Sequence, residues 1–307
     1  MAERAMAGTI PTAPADQVTQ DGRPRSGPGL VGQYLPVLPL ALFLLIALVG
    51  PHLGRDASTQ DLLGRLQPPV TAGGTWEHPL GTDSLGRDVL ARVLDAARRS
   101  LVIGLAAASL SALVGVSLGV ISGMRHGWPD RLVTASVEVC LSVPTIVIGI
   151  VLTATLGQSL PNLLAILLVS GWIAYSRVLR LQVRGLVRSE FVIAAHAMGA
   201  EPGRVVVHHV LPNILPTIVI LLMQQIAAVM IWEASLTFLG LGLPVSDISL
   251  GSLVREGQDH VFDAWWLGAA PGAVIALAVV GFNLTADWLQ IRLDPVLGRR
   301  FSRRSRP

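Results

Sequence analysis

Long apolar runs separated by short polar segments dominate the chain. A helix needs about 20 mainly apolar residues to cross a bilayer, and six runs approach or exceed that length. They lie at about 34–50, 100–123, 132–157, 160–179, 213–241 and 266–289. The pattern predicts an all-α membrane protein with six transmembrane helices, which places both termini on one side of the membrane. The fifth run is long for one crossing, so either its helix tilts or Ser235–Gly242 leaves the helix and lies at the interface.

The two ends of the chain differ from this pattern. Residues 1–29 are rich in Pro, Gly, Ala, Ser and Thr and predict a disordered tail. Residues 296–307 predict a short basic tail, which leaves 30–295 as the six-span domain. The first apolar run starts too far from the N-terminus for an ordinary signal peptide, and no A-x-A site closes it. It is therefore interpreted as an uncleaved anchor.

Composition supports the membrane class and limits the chemistry. The chain is 51% hydrophobic and 14% charged, with a mean hydropathy of +0.59, whereas soluble domains carry about 25% charged residues. Every basic residue is Arg, which excludes a P-loop lysine and a lysine Schiff base. If the chain works with ATP, another subunit must bind the nucleotide. The single cysteine, Cys140, lies in an apolar run and cannot form an internal disulfide.

The distribution of arginine predicts the orientation, because positive charge concentrates in cytoplasmic loops. With the N-terminus inside, most of the arginines become cytoplasmic, whereas those of the first outer loop are accompanied by aspartates. The cytoplasmic set is Arg4, Arg23, Arg25, Arg125, Arg131, Arg177, Arg180, Arg184, Arg188, Arg204, Arg292, Arg299, Arg300, Arg303, Arg304 and Arg306. Both termini are therefore predicted to be cytoplasmic.

Small residues recur at every fourth position of the second span. They are Ala107, Ser111, Gly115, Gly119 and Gly123. Such a stripe allows another helix to approach closely. Gly115–Gly119 also matches the G-x-S-x-G hydrolase elbow, but that motif needs a strand before the turn and a histidine near the serine. Here the context is a continuous apolar helix and the histidines fall in loops or at span ends, so helix packing is favoured over an intramembrane hydrolase.

The inner loop 180–212 has helical signals of its own. Gly199 suits a helix C-cap, and Pro202 suits the first turn of a second short helix that stops near Pro212. The apolar stripe before Gly199 consists of Val187, Phe191, Ala194, Ala195 and Met198. Such an element is either a docking surface for a cytoplasmic partner or an amphipathic segment on the inner leaflet, and the pattern alone leaves both open.

Four co-linear motifs carry a resemblance to a known family. Phe191–Ala200, followed by Leu211–Asn213, resembles the "EAA" loop of binding-protein-dependent ABC importer permeases. Three further stretches resemble the C-type permease of the dipeptide/oligopeptide/nickel subfamily: His78–Leu90, Glu233–Gly242, and Ala264–Trp266 with Pro271–Gly272. The resemblance covers the chain from about residue 30 to Pro295.

This resemblance implies a type I ABC importer permease fold that works by alternating access in the bacterial cytoplasmic membrane. The expected partners are a homologous second permease, a cytoplasmic ATPase dimer, an extracytoplasmic binding protein and membrane lipid, but not nucleic acid. ATP and Mg²⁺ would bind to the ATPase subunits, and this chain would bind no cofactor and catalyse no reaction. Short peptides are the implied substrates, with nickel or another small solute as alternatives.

In this family the EAA loop forms the coupling helix that sits in a cleft of the ATPase. The residues that the resemblance assigns to this contact are Glu190, Phe191, Ala194, Ala195, Met198, Gly199, Ala200, Leu211 and Pro212. The family usually has Glu where this chain has Ile193. Glu190 lies about one helical turn earlier, and whether it replaces the missing charge is open.

Two carboxylates fall within predicted spans. Glu138 and Glu233 are candidates for the translocation path, because a charge at membrane depth usually faces the bundle interior or a wet cavity. Contacts with a partner or an interfacial position are the alternatives for both. An ion-coupled secondary transporter should repeat paired charges or broken spans in its two halves. The sequence shows no such repeat and no metal-binding pattern.

Overall fold

Ten α-helices lie within the residues that the computed structural model describes, which are 34–52, 56–125, 127–244 and 246–293. Their bounds are α1 Leu38–Val49, α2 Val89–Met124, α3 Trp128–Ser142, α4 Thr145–Leu156, α5 Leu160–Val187, α6 Glu190–Ala197, α7 Pro202–Val205, α8 Leu211–Phe238, α9 Leu250–Gln258 and α10 Trp266–Leu293. A π-helical turn, Val206–Val210, joins α7 to α8. These residues form no β-strand beyond one isolated bridge between Thr82 and Asp88. The predicted tails, 1–29 and 296–307, fall outside the described ranges.

Five helical stretches are long and apolar enough to cross a membrane. They are Leu35–His52, Val89–Met124, Leu160–Val187, Pro202–Phe238 and Trp266–Leu293. The pair α3 and α4 gives a sixth crossing if its two bent halves count as one span. The prediction of an all-α membrane fold is therefore confirmed, and the number of spans depends on how the bent pair is placed.

The third predicted span, 132–157, is wrong as a single straight helix. α3 and α4 meet at a bend of 82°. Val143 is extended, with φ −110° and ψ 122°, and Pro144 precedes the first residue of α4. A residue before proline is pushed out of the helical region by the proline ring, so the break follows directly from Pro144.

Three other predicted boundaries shift. α2 starts well before residue 100, because the Asp88 carboxylate caps it by accepting a hydrogen bond from Ala91 N at 2.9 Å. α5 continues to Val187, so the first part of the predicted coupling loop is helical. At the other end of the predicted loop there is no break at Pro212, because α7, the π-helical turn and α8 form one continuous helical stretch. α8 itself ends at Phe238, so Ser235–Phe238 stay helical and the chain leaves the helix only after Phe238.

The close approach of α2 to α5 organises one half of the bundle. The five small residues of the predicted stripe are all buried. A Cβ atom added at Gly115 would lie 2.4 Å from the carbonyl oxygen of Trp172, and one added at Gly123 would lie 2.7 Å from Val183 Cβ. Only a residue without a side chain allows the two helices to pass at this distance.

A second core joins α1, α2, α8, α9 and α10. The rings of Phe43 in α1 and Phe282 in α10 meet edge to face with centroids 6.1 Å apart. Met230 of α8 and Leu250 of α9 are buried in the same cluster. This core fixes α8 and α10 on one side of α2, while α5 lies against another face of α2.

Candidate functional site

The predicted coupling element is built around α6. Ser189 precedes α6 in an extended conformation, and its hydroxyl donates a hydrogen bond to the carbonyl of Leu186 at the end of α5. Gly199 has a φ of +84°, which is favourable only for a residue without a side chain. Its N–H donates to His196 O, and Ala200 N donates to Ala195 O. These two bonds form a Schellman motif, so the chain reverses sharply after α6.

α6 has a narrow buried face and a wide exposed one. Val192 and Ala195 are buried, in the same region as Val183 of α5 and Val205 of α7. The exposed side carries Phe191, Ala194 and Met198, with Met198 83% exposed. Of the other predicted docking residues, Glu190, Gly199 and Pro212 are exposed, and Ala200 and Leu211 are half-buried.

One predicted docking residue lies on the opposite face. Ala195 is only 5% exposed, and it packs towards the bundle beside Val192. The sequence pattern grouped it with Ala194, because α6 is apolar on nearly all sides and its periodicity does not identify the inner face. Ala195 therefore packs against the bundle on the buried side of α6 and contributes little to the exposed surface.

Ile193, where the family usually has Glu, lies on the exposed side of α6. Its side chain is 56% exposed, and Glu190 in the first turn of α6 is also exposed. Residues three apart on a helix lie on neighbouring positions of one face. The Glu190 carboxylate is therefore close to the position where the family usually has a glutamate.

α6 is attached to two long helices at once. Its buried Val192 shares a core cluster with Leu179 of α5, with Val210 just before α8 and with Ile214 of α8. Phe191 also approaches the His209 ring, with centroids 6.1 Å apart. Because protein interiors are close-packed, α6 is held tightly against the adjoining ends of α5 and α8.

An ion-pair cluster next to this element was not predicted from the sequence. Asp130 in the first turn of α3 accepts from Arg180 Nε at 2.6 Å and Nη2 at 2.9 Å, and it also pairs with Arg184. The Ser122 hydroxyl of α2 donates to the same carboxylate at 2.6 Å. Asp130 thus joins α2 and α3 to the part of α5 that carries α6.

The sequence contained a signal for this cluster. Arg180 and Arg184 are spaced by one helical turn, and Asp130 is the acidic residue of the short inner segment 124–131. The arginines were interpreted only as markers of the cytoplasmic side. Their pairing with a carboxylate from another helix depends on the packing of α3 against α5.

A second ion-pair cluster includes Asp83 and Arg87 of the motif His78–Leu90. The buried Asp83 carboxylate accepts from Arg87 Nε and from Arg92 Nη1, each at 2.6 Å. The same arginines reach Glu256 of α9 at 2.9 Å and 2.8 Å. This cluster fastens the segment before α2 to α9, at the opposite end of the bundle from α6.

The two carboxylates proposed for the path lie in different environments. Glu233 is 1% exposed, and it accepts hydrogen bonds from Thr237 Oγ1 at 3.1 Å and Ser100 Oγ at 3.3 Å. Ser100 in turn accepts from Leu250 N, so Glu233 connects α8 to α2 and α9. Glu138 is exposed and lines a cavity of about 200 Å³ together with Arg177. A role in translocation stays a prediction for both.

The chain matches a known family over more than half of its length. The family described as "Binding-protein-dependent transport system inner membrane component" matches residues 115–299. The chain belongs to this family. The matched region includes the exposed face of α6, the Asp130 cluster and the inner ends of α5 and α8.

Similar permeases are known from several bacteria. The probable D,D-dipeptide transport system permease protein DdpC of Escherichia coli (strain K12) is 34% identical, over 86% of this chain and 87% of that protein. The oligopeptide transport system permease protein OppC of Bacillus subtilis (strain 168) is also 34% identical, over 84% of this chain and 83% of that protein. The dipeptide permease DppC of the same Bacillus strain is 32% identical over 85% of this chain.

Membership establishes the main functional class. The permease is a multi-pass inner-membrane component of an ATP-driven importer, and it works with a binding protein and an ATPase. It is not an enzyme and binds no cofactor of its own. Within the described ranges, no three His, Cys, Asp or Glu side chains are grouped so that they would hold a metal ion.

Proposed function

We propose that this permease imports di- or oligopeptides across the cytoplasmic membrane by alternating access. The names of the similar proteins support the substrate class, since they are dipeptide, oligopeptide and D,D-dipeptide permeases that match at 32–34% identity over most of their length. A homologous second permease would complete the pathway, and an ATPase dimer would drive it. The arginine distribution supports cytoplasmic termini, and with that orientation α6 would face the cytoplasm and the ATPase.

The exposed face of α6 is the observation that carries the mechanism. Phe191, Ala194 and Met198 offer a shallow apolar surface, and alanine at its centre permits close approach. When the ATPase dimer closes on ATP, a docked α6 would move with it. The shared core with α5 and α8 would then transmit that movement to the spans. The Asp130 cluster would carry the same movement to α2 and α3.

Glu190 supplies the polar contact of this interface in our proposal. It is exposed in the first turn of α6, one turn before Ile193. A carboxylate at position 190 would contact the same basic group of the ATPase that the family's usual glutamate would contact. Glu190 also suits the positive end of the helix dipole.

Uptake by a reconstituted complex tests the substrate class. The permease, its second permease, the ATPase subunits and the binding protein are assembled in proteoliposomes. Labelled di- and tripeptides and ⁶³Ni²⁺ are then supplied in parallel, with and without ATP. We expect ATP-dependent accumulation of peptide. Accumulation of nickel alone would contradict the peptide assignment, and transport that persists without the ATPase subunits would contradict the importer mechanism as a whole.

A further inference from the structure

A polar groove opens on the inner half of the permease between α5, α8 and α10. It encloses about 500 Å³, which lies in the range of about 300–1,000 Å³ that small-molecule sites occupy. Its polar lining comes from all three helices, and the rest of the lining is apolar, with no charged residue. The polar residues are Gln182 of α5, Asn213, Thr217 and Gln224 of α8, and Gln290 of α10.

The groove runs from the predicted inner boundary, where Gln182, Asn213 and Gln290 lie, to Gln224 deep in the membrane. Gln224 lies eleven residues beyond the predicted inner boundary at Asn213, and a rise of 1.5 Å per residue places it about 16 Å inside. That is close to the middle of a hydrocarbon core of about 30 Å. Gln224 is exposed on the surface of this chain, and Gln182 Oε1 is buried without a hydrogen-bond partner. Lipid tails offer amides no hydrogen bonds, so this surface is suited to water or to a polar ligand.

The chemistry of the lining indicates what the ligand is. A carboxamide donates through its NH₂ and accepts through its carbonyl, and each peptide unit offers the complementary N–H and C=O. Amide side chains therefore bind a peptide main chain whatever its side chains are, and an uncharged lining does not distinguish acidic from basic peptides. Nickel prefers imidazole and similar nitrogen ligands, which this lining lacks.

We propose that this groove is the part of the translocation path where the permease holds the main chain of a peptide before release into the cytoplasm. The inference rests on the proposed import of peptides and deepens it, since it assigns recognition to peptide bonds. The groove is connected to the coupling element, because α5 and α8 carry α6. Asn213 also donates to the carbonyl of His209 at 2.7 Å. A movement of α6 therefore changes the distance between the groove walls and releases the peptide.

Cysteine labelling tests whether the groove is open to water and peptide. The chain has a single cysteine, so Cys140→Ser gives a cysteine-free background for Gln224→Cys. Val280→Cys on α10 is the matched control, since its exposed apolar side chain lies at a similar depth. A charged methanethiosulfonate reagent is added from the cytoplasmic side to the nucleotide-free complex. We expect Gln224→Cys to react at least about ten times faster than Val280→Cys, because a charged reagent reaches only wet positions.

Protection by a peptide tests the chemistry of recognition. Trialanine at millimolar concentration should slow the labelling of Gln224→Cys, whereas the lactic acid trimer, whose ester bonds lack the N–H donor, should not. Labelling as slow as that of Val280→Cys would show that lipid or the second permease covers the groove, and would overturn the proposal. Equal protection by both trimers, or by neither, would overturn recognition of the peptide bond.

Transport stoichiometry separates this inference from the proposed function. The double variant Gln182→Leu/Gln224→Leu should transport less peptide per ATP hydrolysed, by about fivefold for each hydrogen bond lost. Asn283→Leu, an exposed amide of α10 outside the groove, is the control and should behave like the wild type. If the wild-type complex transports no peptide, the proposed function fails. If it does and the double variant transports as much per ATP, only the groove proposal fails.

Discussion

At the scale of the residue, the proposed contact of α6 with the ATPase depends most on position 193, where this chain has Ile and the family usually has Glu. Glu190 and Ile193 are both exposed and lie one turn apart on α6. If Glu190 provides the missing charge, Glu190→Gln should weaken the association with the ATPase by about tenfold, since a charge-assisted hydrogen bond contributes about 1.5–3 kcal/mol. Ile193→Glu in the Glu190→Gln background should restore it.

Measuring ATPase binding to the detergent-purified permease checks this prediction. Glu201→Gln is the matched control, because Glu201 is an exposed glutamate of the same inner region, just before α7. Equal affinity of the wild type and Glu190→Gln would show that Glu190 does not replace the family's glutamate.

The Asp130 carboxylate gives a second prediction at the scale of the residue. Asp130→Asn would leave Arg180 and Arg184 facing each other without a counter-charge, so the variant should lose about 2–3 kcal/mol of stability. Asp247→Asn removes one partner of an exposed pair with Arg99 at 3.7 Å, and it should cost about 0–1 kcal/mol. Thermal unfolding of the two purified variants measures the difference. A similar loss in both would show that the Asp130 cluster does not hold α3 against α5.

Packing between whole helices depends on the small-residue stripe of α2. Gly115→Leu would push a side chain against the main chain of Trp172, which cannot move without displacing α5. Overpacking of this kind costs about 1–3 kcal/mol or more, so we expect a poorly folded permease with a lower unfolding temperature. Gly272→Leu on α10 meets nothing within 4 Å, and it should leave the unfolding temperature nearly unchanged. Equal unfolding temperatures for the two variants would contradict the tight α2–α5 contact.

The helical elements show what the sequence could predict. Apolar runs located the spans, because hydrophobic length is a local property of the chain. The break between α3 and α4 was missed although Pro144 marks it, since hydrophobicity continues across the bend. The inner face of α6 was missed at Ala195, because Val192, Ile193, Ala194 and Ala195 are all apolar and give no direction. The Asp130 cluster and the amide-lined groove join residues from separate helices, which no local pattern reveals.

At the scale of the whole molecule, ion-pair clusters hold the helix bundle together at both ends. At one end the Asp83 cluster ties the segment before α2 to α9, and at the other the Asp130 cluster ties α3 to α5. The groove between α5, α8 and α10 lies next to the proposed ATPase-docking element. In the proposed mechanism, a movement that starts at α6 would reach the groove through α5 and α8, while the ion pairs of the Asp83 cluster would hold the other end of the bundle together.

The most direct test of this account is the recovery of the ATPase with a permease whose α6 surface is blocked. Gly199→Trp places a large side chain beside the exposed face of α6. Gly157→Trp is matched to it, since Gly157 also has a positive φ and open space around it but follows α4, away from α6. Gly199→Trp should lose the ATPase and ATP-driven uptake while it still inserts into the membrane. Gly157→Trp should keep both the ATPase and the uptake. Normal ATPase recovery and normal uptake with Gly199→Trp would contradict the coupling role of α6.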